Sequence, residues 1–329
     1  MNTSKNPEVK LSPGDQVTGK WNQNHYIILR ELGSGATGTV YLAKSDRSKV
    51  AVKVSHDTLS ITSEVNVLKH LSKVQGKTLG PSFIEMDDWS TNKGIFPFYV
   101  MEYVQGESLF AFMKQRKDEW MGILILQLLR DLAELHRAGW VFGDLKPDNL
   151  LVSGPPPKIR WLDVGGTTMI GRAIKEYTEF FDRGYWGMGS RRAEPSYDLF
   201  AVAMIMMNYA VPSRFDKKEG GWNQLQKVID HNRWLKKFKP VLHKALHGHY
   251  QTAEEMRNDL LKHYSTKSSV QPKARRAHPR PAQPSNTQMG RARQQQKKKI
   301  KKRLRYTESI LIFLFLFVFY VVYLMSQVF

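Results

Sequence analysis

The segment VFGDLKPDNLL, residues 141–151, contains carboxylate, ammonium and amide side chains close together in the sequence. Its polar members include Asp144, Lys146 and Asn149, and Asp163 follows nineteen residues after Asp144. Carboxylate and amide oxygens are the ligands that Mg²⁺ prefers, so Asn149 and Asp163 are predicted to hold that ion. Asp144 is predicted to accept the proton of an attacking hydroxyl or to orient its oxygen, and Lys146 to offset charge on a transferred phosphoryl group. Phosphoryl transfer, which depends mainly on positioning and electrostatics, is the chemistry that these residue types predict.

A glycine-rich segment earlier in the chain, between two predicted strands, is predicted to hold phosphate groups. Glycine lets backbone N–H groups approach a phosphate without a clash from Cβ. The spacing GxGxxG is a weak signal on its own, because a dinucleotide-binding turn shares it. That turn needs a helix directly after the last glycine, whereas the sequence TVYLAK that follows here predicts a strand. The nucleotide-binding residues predicted in this segment are Gly33, Ser34, Gly35, Gly38 and Val40.

A lysine and a glutamate are predicted to form a pair beside this segment. Lys53 ends the apolar run VAVK, fifteen residues after Gly38. A lysine inside an apolar strand is costly unless its ammonium has partners, and the α- and β-phosphates of ATP and a carboxylate would supply them. Glu64 lies among apolar residues on the next predicted helix, so it is predicted to point inward toward Lys53. A surface position is the alternative for Glu64.

In order and near the expected spacings, these segments resemble the Hanks-type protein kinases over residues 26–264. The six catalytic positions of that family that match here are Lys53, Glu64, Asp144, Lys146, Asn149 and Asp163. The resemblance implies an α+β fold with a β-rich N-lobe over a helical C-lobe and with ATP and Mg²⁺ between them. It also implies that the hinge segment MEYV, residues 101–104, binds adenine through its backbone. The residues assigned to this end of the cleft are Ala51, Met101, Glu102 and Val104, with Met101 as the gatekeeper.

Some positions depart from the family pattern, but none of them removes a phosphate or metal contact. The His-Arg pair that precedes the catalytic aspartate in the family is Phe142-Gly143 here. That arginine normally pairs with a phosphate on the activation segment (Asp163 to Pro195), so we expect activation not to depend on such a contact. Val164 replaces the Phe of the Asp-Phe-Gly motif, Glu194 lies in an echo of the Ala-Pro-Glu landmark, and His249 stands where an arginine often closes the C-lobe. The activation segment is therefore expected to dock in an unusual way. Its candidate phosphate acceptors are Thr167, Thr168, Thr178 and Ser190.

The elements that position these residues follow from the apolar pattern of the 329-residue chain. Apolar runs separated by Gly and Ser predict antiparallel strands over the first 105 residues, with a helix at 61–71. Residues 120–136 and 198–210 predict buried helices. The absence of cysteine excludes disulfides, zinc–thiolate sites and thiol nucleophiles. The predicted divisions are an N-terminal extension at 1–25, a protein kinase domain at 26–264, a flexible basic linker at 265–305, a transmembrane helix at 307–327 and an external tail at 328–329.

Charge and hydropathy change sharply toward the C-terminus. Residues 309–329 carry no charged side chain, and about 20 apolar residues suffice to cross the hydrocarbon core of a bilayer. A buried core helix is the alternative. The net charge of the chain is +20. Residues 267–305 contribute +14 of it, because they contain fourteen Lys and Arg and no Asp or Glu. Lys and Arg beside a span favour the cytoplasmic side, so we expect a single-pass protein of the cell membrane with its kinase domain in the cytoplasm.

The basic linker predicts anionic partners. The residues next to the span would attract anionic lipid, whereas the whole run from Lys273 to Arg305 is typical of disordered arms that bind DNA or other nucleic acid. Several molecules on one DNA would be brought close together, and this self-association favours phosphorylation in trans. The layout of kinase domain, basic linker and C-terminal span resembles that of Hanks-type serine/threonine kinases of spore-forming bacteria, which implies a role in sporulation.

Three classes of function remain to be distinguished. The first is a kinase acting on serine or threonine of proteins, which the Lys-Pro dipeptide after the Asp-Leu favours over a tyrosine kinase. The second is a small-molecule phosphotransferase of the aminoglycoside type, because those enzymes share a loop resembling GDLKPDN; Lys146 and the hinge segment favour a protein substrate. The third is a non-catalytic, membrane-bound nucleic-acid scaffold, against which the presence of Lys53, Asp144 and Asp163 argues.

Overall fold

The computed structural model describes residues 10–35, 37–72, 79–218 and 220–268. The predicted transmembrane helix at 307–327, the external tail and the linker from residue 269 onward lie outside this part of the chain. Within it, no helix is both long enough and apolar enough to cross a bilayer. The predictions that concern the membrane, lipid and DNA therefore remain predictions.

The first lobe is built on one antiparallel sheet. Its strands are β1 (Gln16–Thr18), β2 (His25–Gly35), β3 (Gly38–Lys44), β4 (Lys49–Val54), β5 (Phe83–Thr91) and β6 (Gly94–Glu102). They lie in the order β1-β2-β3-β4-β6-β5. Tyr41, Val52 and Phe98 are fully buried in its core, because alternate residues of a strand point to the same face of the sheet. The antiparallel strands predicted from the apolar runs are confirmed.

The sheet begins earlier than the predicted extension at residues 1–25 suggested. β1 pairs with β2, and its Val17 is fully buried. The buried carboxylate of Asp87 on β5 accepts hydrogen bonds from the backbone N–H groups of Trp21 (3.0 Å) and Asn22 (2.7 Å). The polar sequence of this segment did not predict that it packs on the sheet, because the hydrogen bonds join its backbone to Asp87, more than sixty residues later.

Helix α1 (Thr58–Leu71) connects β4 to β5 and presents one apolar face to the core. Ile61, Val65 and Leu68 on that face are buried. The side chain of Asp57 accepts a hydrogen bond from the N–H of Leu59 at 2.9 Å, which satisfies one free donor at the start of the helix. The predicted helix is confirmed, and its buried face also carries Glu64.

The second lobe is mainly helical. Its helices are α2 (Leu109–Met113), α3 (Glu119–Arg137), α4 (Pro195–Ala210), α5 (Gly221–His231), α6 (Arg233–Lys237), α7 (Lys239–Leu246) and α8 (Ala253–Ser268). All residues of α4 from Ser196 to Asn208 are buried, which explains why its sequence has no polar face. α8 ends at Ser268, so the first four residues of the predicted linker are helical. A helix that is already started by packing continues at little cost.

Short strands of the second lobe support the loops that carry the predicted chemistry. They are β7 (Glu107–Ser108), β8 (Trp140–Val141), β9 (Leu150–Ser153), β10 (Lys158–Trp161) and β11 (Thr168–Met169). β9 pairs with β10, and β8 pairs with β11. The catalytic loop, residues 142–149, connects β8 to β9, and Asp163 lies two residues after the end of β10. The pairing therefore fixes both ends of the loop and the start of the activation segment relative to each other.

Candidate active site

A cleft of about 940 Å³ contains nearly all of the predicted site residues in its wall. The predicted nucleotide-binding residues that line it are Gly33, Ser34, Gly35, Gly38, Val40, Ala51, Lys53, Met101, Glu102 and Val104. The predicted catalytic and metal residues that line it are Asp144, Lys146, Asn149 and Asp163. Glu64 lies behind Lys53 and does not line the cleft. Segments far apart in the sequence thus meet around one cavity.

The glycine-rich hairpin forms one edge of the cleft, where β2 turns into β3. Gly38 has a φ of +137°, and a Cβ at this position would lie 2.4 Å from the backbone oxygen of Val54, so only glycine fits. A Cβ at Gly33 or Gly35 would meet no atom within 4 Å, so these residues leave open space beside the cleft. Because β3 follows the glycines directly, the dinucleotide-binding turn is excluded.

Lys53 and Glu64 form a buried ion pair at the back of the cleft. The Nζ atom of Lys53 lies 2.8 and 2.7 Å from the two carboxylate oxygens, and the side chains are 5% and 3% exposed. Tyr99 donates to the same carboxylate at 2.9 Å. Burial, followed by the charge of Glu64, raises the pKa of Tyr99 well above its ordinary value, so its hydroxyl stays a donor. The inward orientation predicted for Glu64 is observed, and the surface alternative is wrong.

Glu102 holds the hinge segment to both lobes. The backbone N–H of Glu102 donates to the backbone oxygen of Ser82, just before β5, at 2.8 Å. The carboxylate of Glu102 accepts a hydrogen bond from Arg160, on β10, at 2.9 Å. Burial alone would raise the pKa of Glu102, but hydrogen bonds from Arg160 and Ser82 hold it below its ordinary value. The neighbouring Met101 and Ala51 are buried at the apolar end of the cleft. This end has the apolar lining and fixed backbone that a purine base requires.

The backbone of the catalytic loop is held by Asp198, a fully buried residue in the first turn of α4. Its carboxylate accepts from the N–H groups of Phe142 (2.8 Å) and Gly143 (3.0 Å). His136 Nε2 lies 2.9 Å from the same carboxylate. Negative charge is also favoured at a helix N-terminus. Sequence reasoning placed Asp198 only at the start of a helix and missed this role.

The carboxylate of Asp144 is held by two partners. Lys146 Nζ contacts its Oδ2 atom, and the hydroxyl of Thr178 donates to Oδ1 at 2.9 Å. Lys146 Nζ also donates to Thr178 Oγ1 at 3.0 Å. A hydroxyl can donate one hydrogen bond and accept others, so Thr178 bridges the carboxylate of Asp144 and the ammonium of Lys146. The sequence singled out Thr178 only as a candidate phosphate acceptor.

Asn149 and Asp163 supply oxygen atoms beside Asp144. Asn149 Nδ2 donates to the backbone oxygen of Asp144 at 2.9 Å, which leaves the amide oxygen for another partner. Asp163 is exposed toward the cleft, and its Oδ1 atom accepts from the N–H of Gly165 at 2.8 Å. Mg²⁺ takes one or two protein oxygens and completes its coordination with water and phosphate oxygens, so this donor set fits it.

The structure explains the glycine that replaces the family's arginine. Gly143 has a φ of +84°, and a Cβ there would lie 2.5 Å from the backbone oxygen of Gly166. A side chain would require the backbone to move. Val164, which replaces the family's Phe, is 2% exposed, and a Cβ at Gly80 would lie 3.1 Å from its Cγ1 atom. The smaller residue therefore packs closely against a glycine.

The later part of the activation segment folds around a buried carboxylate. Asp182 is fully buried and accepts from the hydroxyl of Tyr197 at 2.8 Å and from the N–H of Gly184 at 3.0 Å. Arg191 lies 2.7 Å from it, and its guanidinium covers the ring of Tyr177 at 4.0 Å. Asp182 therefore fixes the segment to the start of α4.

Glu194, in the echo of the Ala-Pro-Glu landmark, takes its partner from the activation segment itself. The guanidinium of the buried Arg183 lies 2.6 Å from its carboxylate. Arg183 also donates to Ser196 Oγ at 2.8 Å. The bond from Arg183 holds the pKa of Glu194 below its ordinary value. His249 is exposed and stacks on His247, so Glu194 is held by Arg183 and not by His249.

Comparison with known proteins gives concordant results. The family model for the protein kinase domain matches residues 26–277. The chain is 51% identical over 284 residues to the serine/threonine-protein kinase YabT of Bacillus subtilis (strain 168), an alignment that covers 83% of this chain and 84% of that protein. It is 31% identical over 200 residues to the serine/threonine-protein kinase MAK of Rattus norvegicus, covering 56% of this chain and 30% of that protein. For the serine/threonine-protein kinase chk-2 of Caenorhabditis elegans the identity is 30% over 152 residues, covering 40% of this chain and 30% of that protein.

Proposed function

Because this chain belongs to the protein kinase family and is a serine/threonine protein kinase, we propose that its cleft binds ATP with Mg²⁺ and that Asp144 directs a substrate hydroxyl onto the γ-phosphate. One observation carries the proposal. Lys53 lines the same cleft as Asp144 and Asp163, and its ammonium lies 2.7 Å from the buried carboxylate of Glu64. An ammonium already held in place at the cleft is suited to binding phosphate oxygens.

Each predicted residue has a role in this proposal. Lys53 binds the α- and β-phosphates and is held by Glu64, while the glycine-rich hairpin covers the phosphates with backbone N–H groups. Asp144 orients the attacking hydroxyl and takes its proton. Lys146 offsets the charge on the transferred group. Mg²⁺, held by Asn149 and Asp163, would neutralise phosphate charge when it is bound.

A comparison of acceptors tests the proposal against a small-molecule phosphotransferase. The purified full-length chain is incubated with ATP and Mg²⁺, with either a serine-rich protein or an aminoglycoside as the acceptor. We expect phosphoserine or phosphothreonine on protein and no increase in ATP consumption with the aminoglycoside. Aminoglycoside-dependent ATP consumption without labelled protein would support the small-molecule alternative. No consumption of ATP with either acceptor would support the non-catalytic scaffold.

Anchoring in the cell membrane by residues 307–327, with the kinase domain in the cytoplasm, is a further part of the proposal. It is supported by the uncharged run at 309–329 and by the Lys and Arg before it. Cells producing the full-length chain and cells producing a chain ending at residue 305 are fractionated and extracted with alkaline carbonate. The full-length chain should stay with the membranes while the shortened chain is released. Release of both would contradict the anchor.

Regulation by DNA bound between Lys273 and Arg305 is the third part of the proposal. It is supported by the many Lys and Arg and the absence of Asp and Glu in this stretch. Affinity for DNA should fall steeply as salt rises, because bound cations are released. Deleting residues 273–305 should flatten that salt dependence, and a deletion elsewhere, of residues 1–9, serves as the control. DNA should also increase phosphorylation in trans by the unchanged chain. Equal affinity with and without the basic stretch would contradict the proposal, and binding to anionic vesicles alone would assign the stretch to lipid.

A further inference from the structure

Part of the activation segment forms one side of the cleft and places an acidic residue, Glu176, in its wall. Residues 175–178 all line the cavity. Lys175 donates to Ser63 Oγ of α1 at 3.1 Å, and Thr178 donates to Asp144 at 2.9 Å. Glu176 lies between these two anchors and is half-buried. In the described part of the chain its carboxylate makes no hydrogen bond and no ion pair.

The surroundings of Glu176 are acidic. Burial, followed by the charge of Asp163, raises the pKa of its carboxyl, and the charges of Glu64 and Asp144 act in the same direction. Lys53 opposes them, but its ammonium is already bound to Glu64. A half-buried carboxylate among like charges is stabilised by any cation that enters the cleft beside it.

A second acidic side chain of the cleft wall provides a contrast. Asp148 lines the same cavity but is paired with Arg214, whose Nη2 atom lies 2.5 Å from its carboxylate. The guanidinium of Arg214 also lies over the ring of Phe181 at 5.2 Å. Asp148 therefore has a cation supplied by the protein, whereas none of the described residues forms an ion pair with Glu176. An incoming basic side chain would gain more from Glu176.

We propose that Glu176 is a specificity residue that selects protein substrates with a lysine or arginine close in sequence to the accepting serine or threonine. The inference rests on the proposed function. Thr178, two residues from Glu176, contacts Asp144, so Glu176 lies near the position of the accepting hydroxyl. Consecutive residues of an extended peptide are about 3.3–3.6 Å apart, so a basic side chain within a few residues of the acceptor can reach it.

A peptide series tests this selection in the full-length chain, solubilised in detergent. Each peptide contains one serine, with a single lysine placed at one of the three positions on either side, and is compared with the same peptide carrying glutamine there. The variants are Glu176→Gln, Glu176→Lys and, as the matched control, Glu179→Gln. Glu179 is exposed and does not line the cleft, although it lies only three residues from Glu176.

We expect the unchanged chain to prefer lysine at one or two adjacent positions by about tenfold in kcat/KM, as for a partly desolvated ion pair. Glu176→Gln should remove this preference and leave kcat/KM for the glutamine peptides within about twofold, because a neutral peptide makes no ion pair. Glu176→Lys should favour glutamate in place of lysine, and Glu179→Gln should behave as the unchanged chain.

Several results would overturn the inference. It is wrong if the unchanged chain shows no preference for lysine, or if Glu176→Gln retains the preference. It is also wrong if Glu176→Gln loses activity equally on all peptides and requires more Mg²⁺, since Glu176 would then belong to the metal site. Labelling of peptides without regard to charge would overturn the selection alone. Failure to label any peptide would contradict the proposed function as well.

Discussion

The hydroxyl of Thr178 donates a hydrogen bond to Asp144 Oδ1 at 2.9 Å and lies 3.0 Å from Lys146 Nζ. A residue of the activation segment thus completes the hydrogen bonding of the proposed catalytic carboxylate. Because Asp182 and Arg183 fix the same segment to the start of α4, its docking and the geometry of the catalytic loop are coupled.

Substitutions of Thr178 can distinguish a role in positioning Asp144 from a role as a phosphate acceptor. Thr178→Ala should lower kcat by about 10- to 100-fold, because Asp144 loses a hydrogen bond that orients it. Thr178→Ser should remain within about threefold of the unchanged chain, since the hydroxyl is kept. Thr178→Glu should be at least as impaired as Thr178→Ala, because a second carboxylate would face Asp144. Steady-state kinetics with one protein substrate measures all three, and an active Thr178→Glu variant would indicate activation by phosphorylation instead.

The buried pair of Lys53 and Glu64 should contribute to stability and to activity in separable ways. Lys53→Met leaves a buried carboxylate without its cation, so it should lower the free energy of unfolding by about 3 kcal/mol and abolish transfer. The double variant Lys53→Met with Glu64→Leu should recover most of that stability, because no unpaired charge remains, yet stay inactive. Urea unfolding and a transfer assay are run on both variants. A double variant that is as unstable as the single one, or that regains activity, contradicts this interpretation.

Activity should not require a phosphate on the exposed part of the activation segment. Thr167 and Thr168 are fully buried and Thr178 is bonded to Asp144, so replacing the four candidate acceptors together would disturb packing and the site at once. Ser190 is the exposed member of the set. Ser190→Ala should retain activity within about twofold, because Gly143 offers no side chain to bind a phosphate.

The complementary variant is Gly143→Arg. Its Cβ would clash with the backbone oxygen of Gly166, so it should lower activity rather than restore a regulatory contact. Both chains are assayed after phosphatase treatment. Loss of activity in Ser190→Ala, or a gain in Gly143→Arg, would contradict the predicted independence from a phosphate contact.

The contribution of Asp259 to stability should depend on pH. The bond from Lys244 holds the pKa of Asp259 at about 2, below its ordinary value of 3.8. The folded state therefore favours the ionised form, so the stabilisation is present above pH 3.8 and is lost as pH falls toward 2. Lys244 is half-exposed, so Asp259→Asn should cost only about 1 kcal/mol at pH 7. The two chains should approach equal unfolding free energies as pH falls below 2. A difference that persists there would indicate that packing, rather than charge, is responsible.

The two lobes, most strands and the long helices could be predicted because each has a characteristic pattern of apolar residues in the local sequence. Apolar periodicity marked α1, α3 and α4, and alternating apolar runs marked the sheet. The residues of the cleft were also predictable, since chemistry demands particular types at particular spacings. Lys53, Asp144 and Asp163 lie in three short segments whose combination, more than any one of them, indicates phosphoryl transfer.

What could not be predicted depends on contacts between residues distant in the sequence. Asp198 binds the backbone of a loop more than fifty residues before it, and no spacing rule links the two. Arg183 and Asp182 belong to a segment that departs from the family pattern, so neither periodicity nor motif identified their burial. Thr178 was visible only as a hydroxyl, because its distance from Asp144 is set by the fold of the whole activation segment.

The central claim is that Asp144 lies in the site that transfers phosphate from ATP to protein serine or threonine. The most direct measurement incubates the full-length chain, and its Asp144→Ala variant, with γ-labelled ATP, Mg²⁺ and a serine- and threonine-containing protein. We expect labelled phosphoserine or phosphothreonine with the unchanged chain and a loss of at least about 100-fold with the variant. Equal labelling by both chains, or no labelling by either while the protein remains folded, would contradict it.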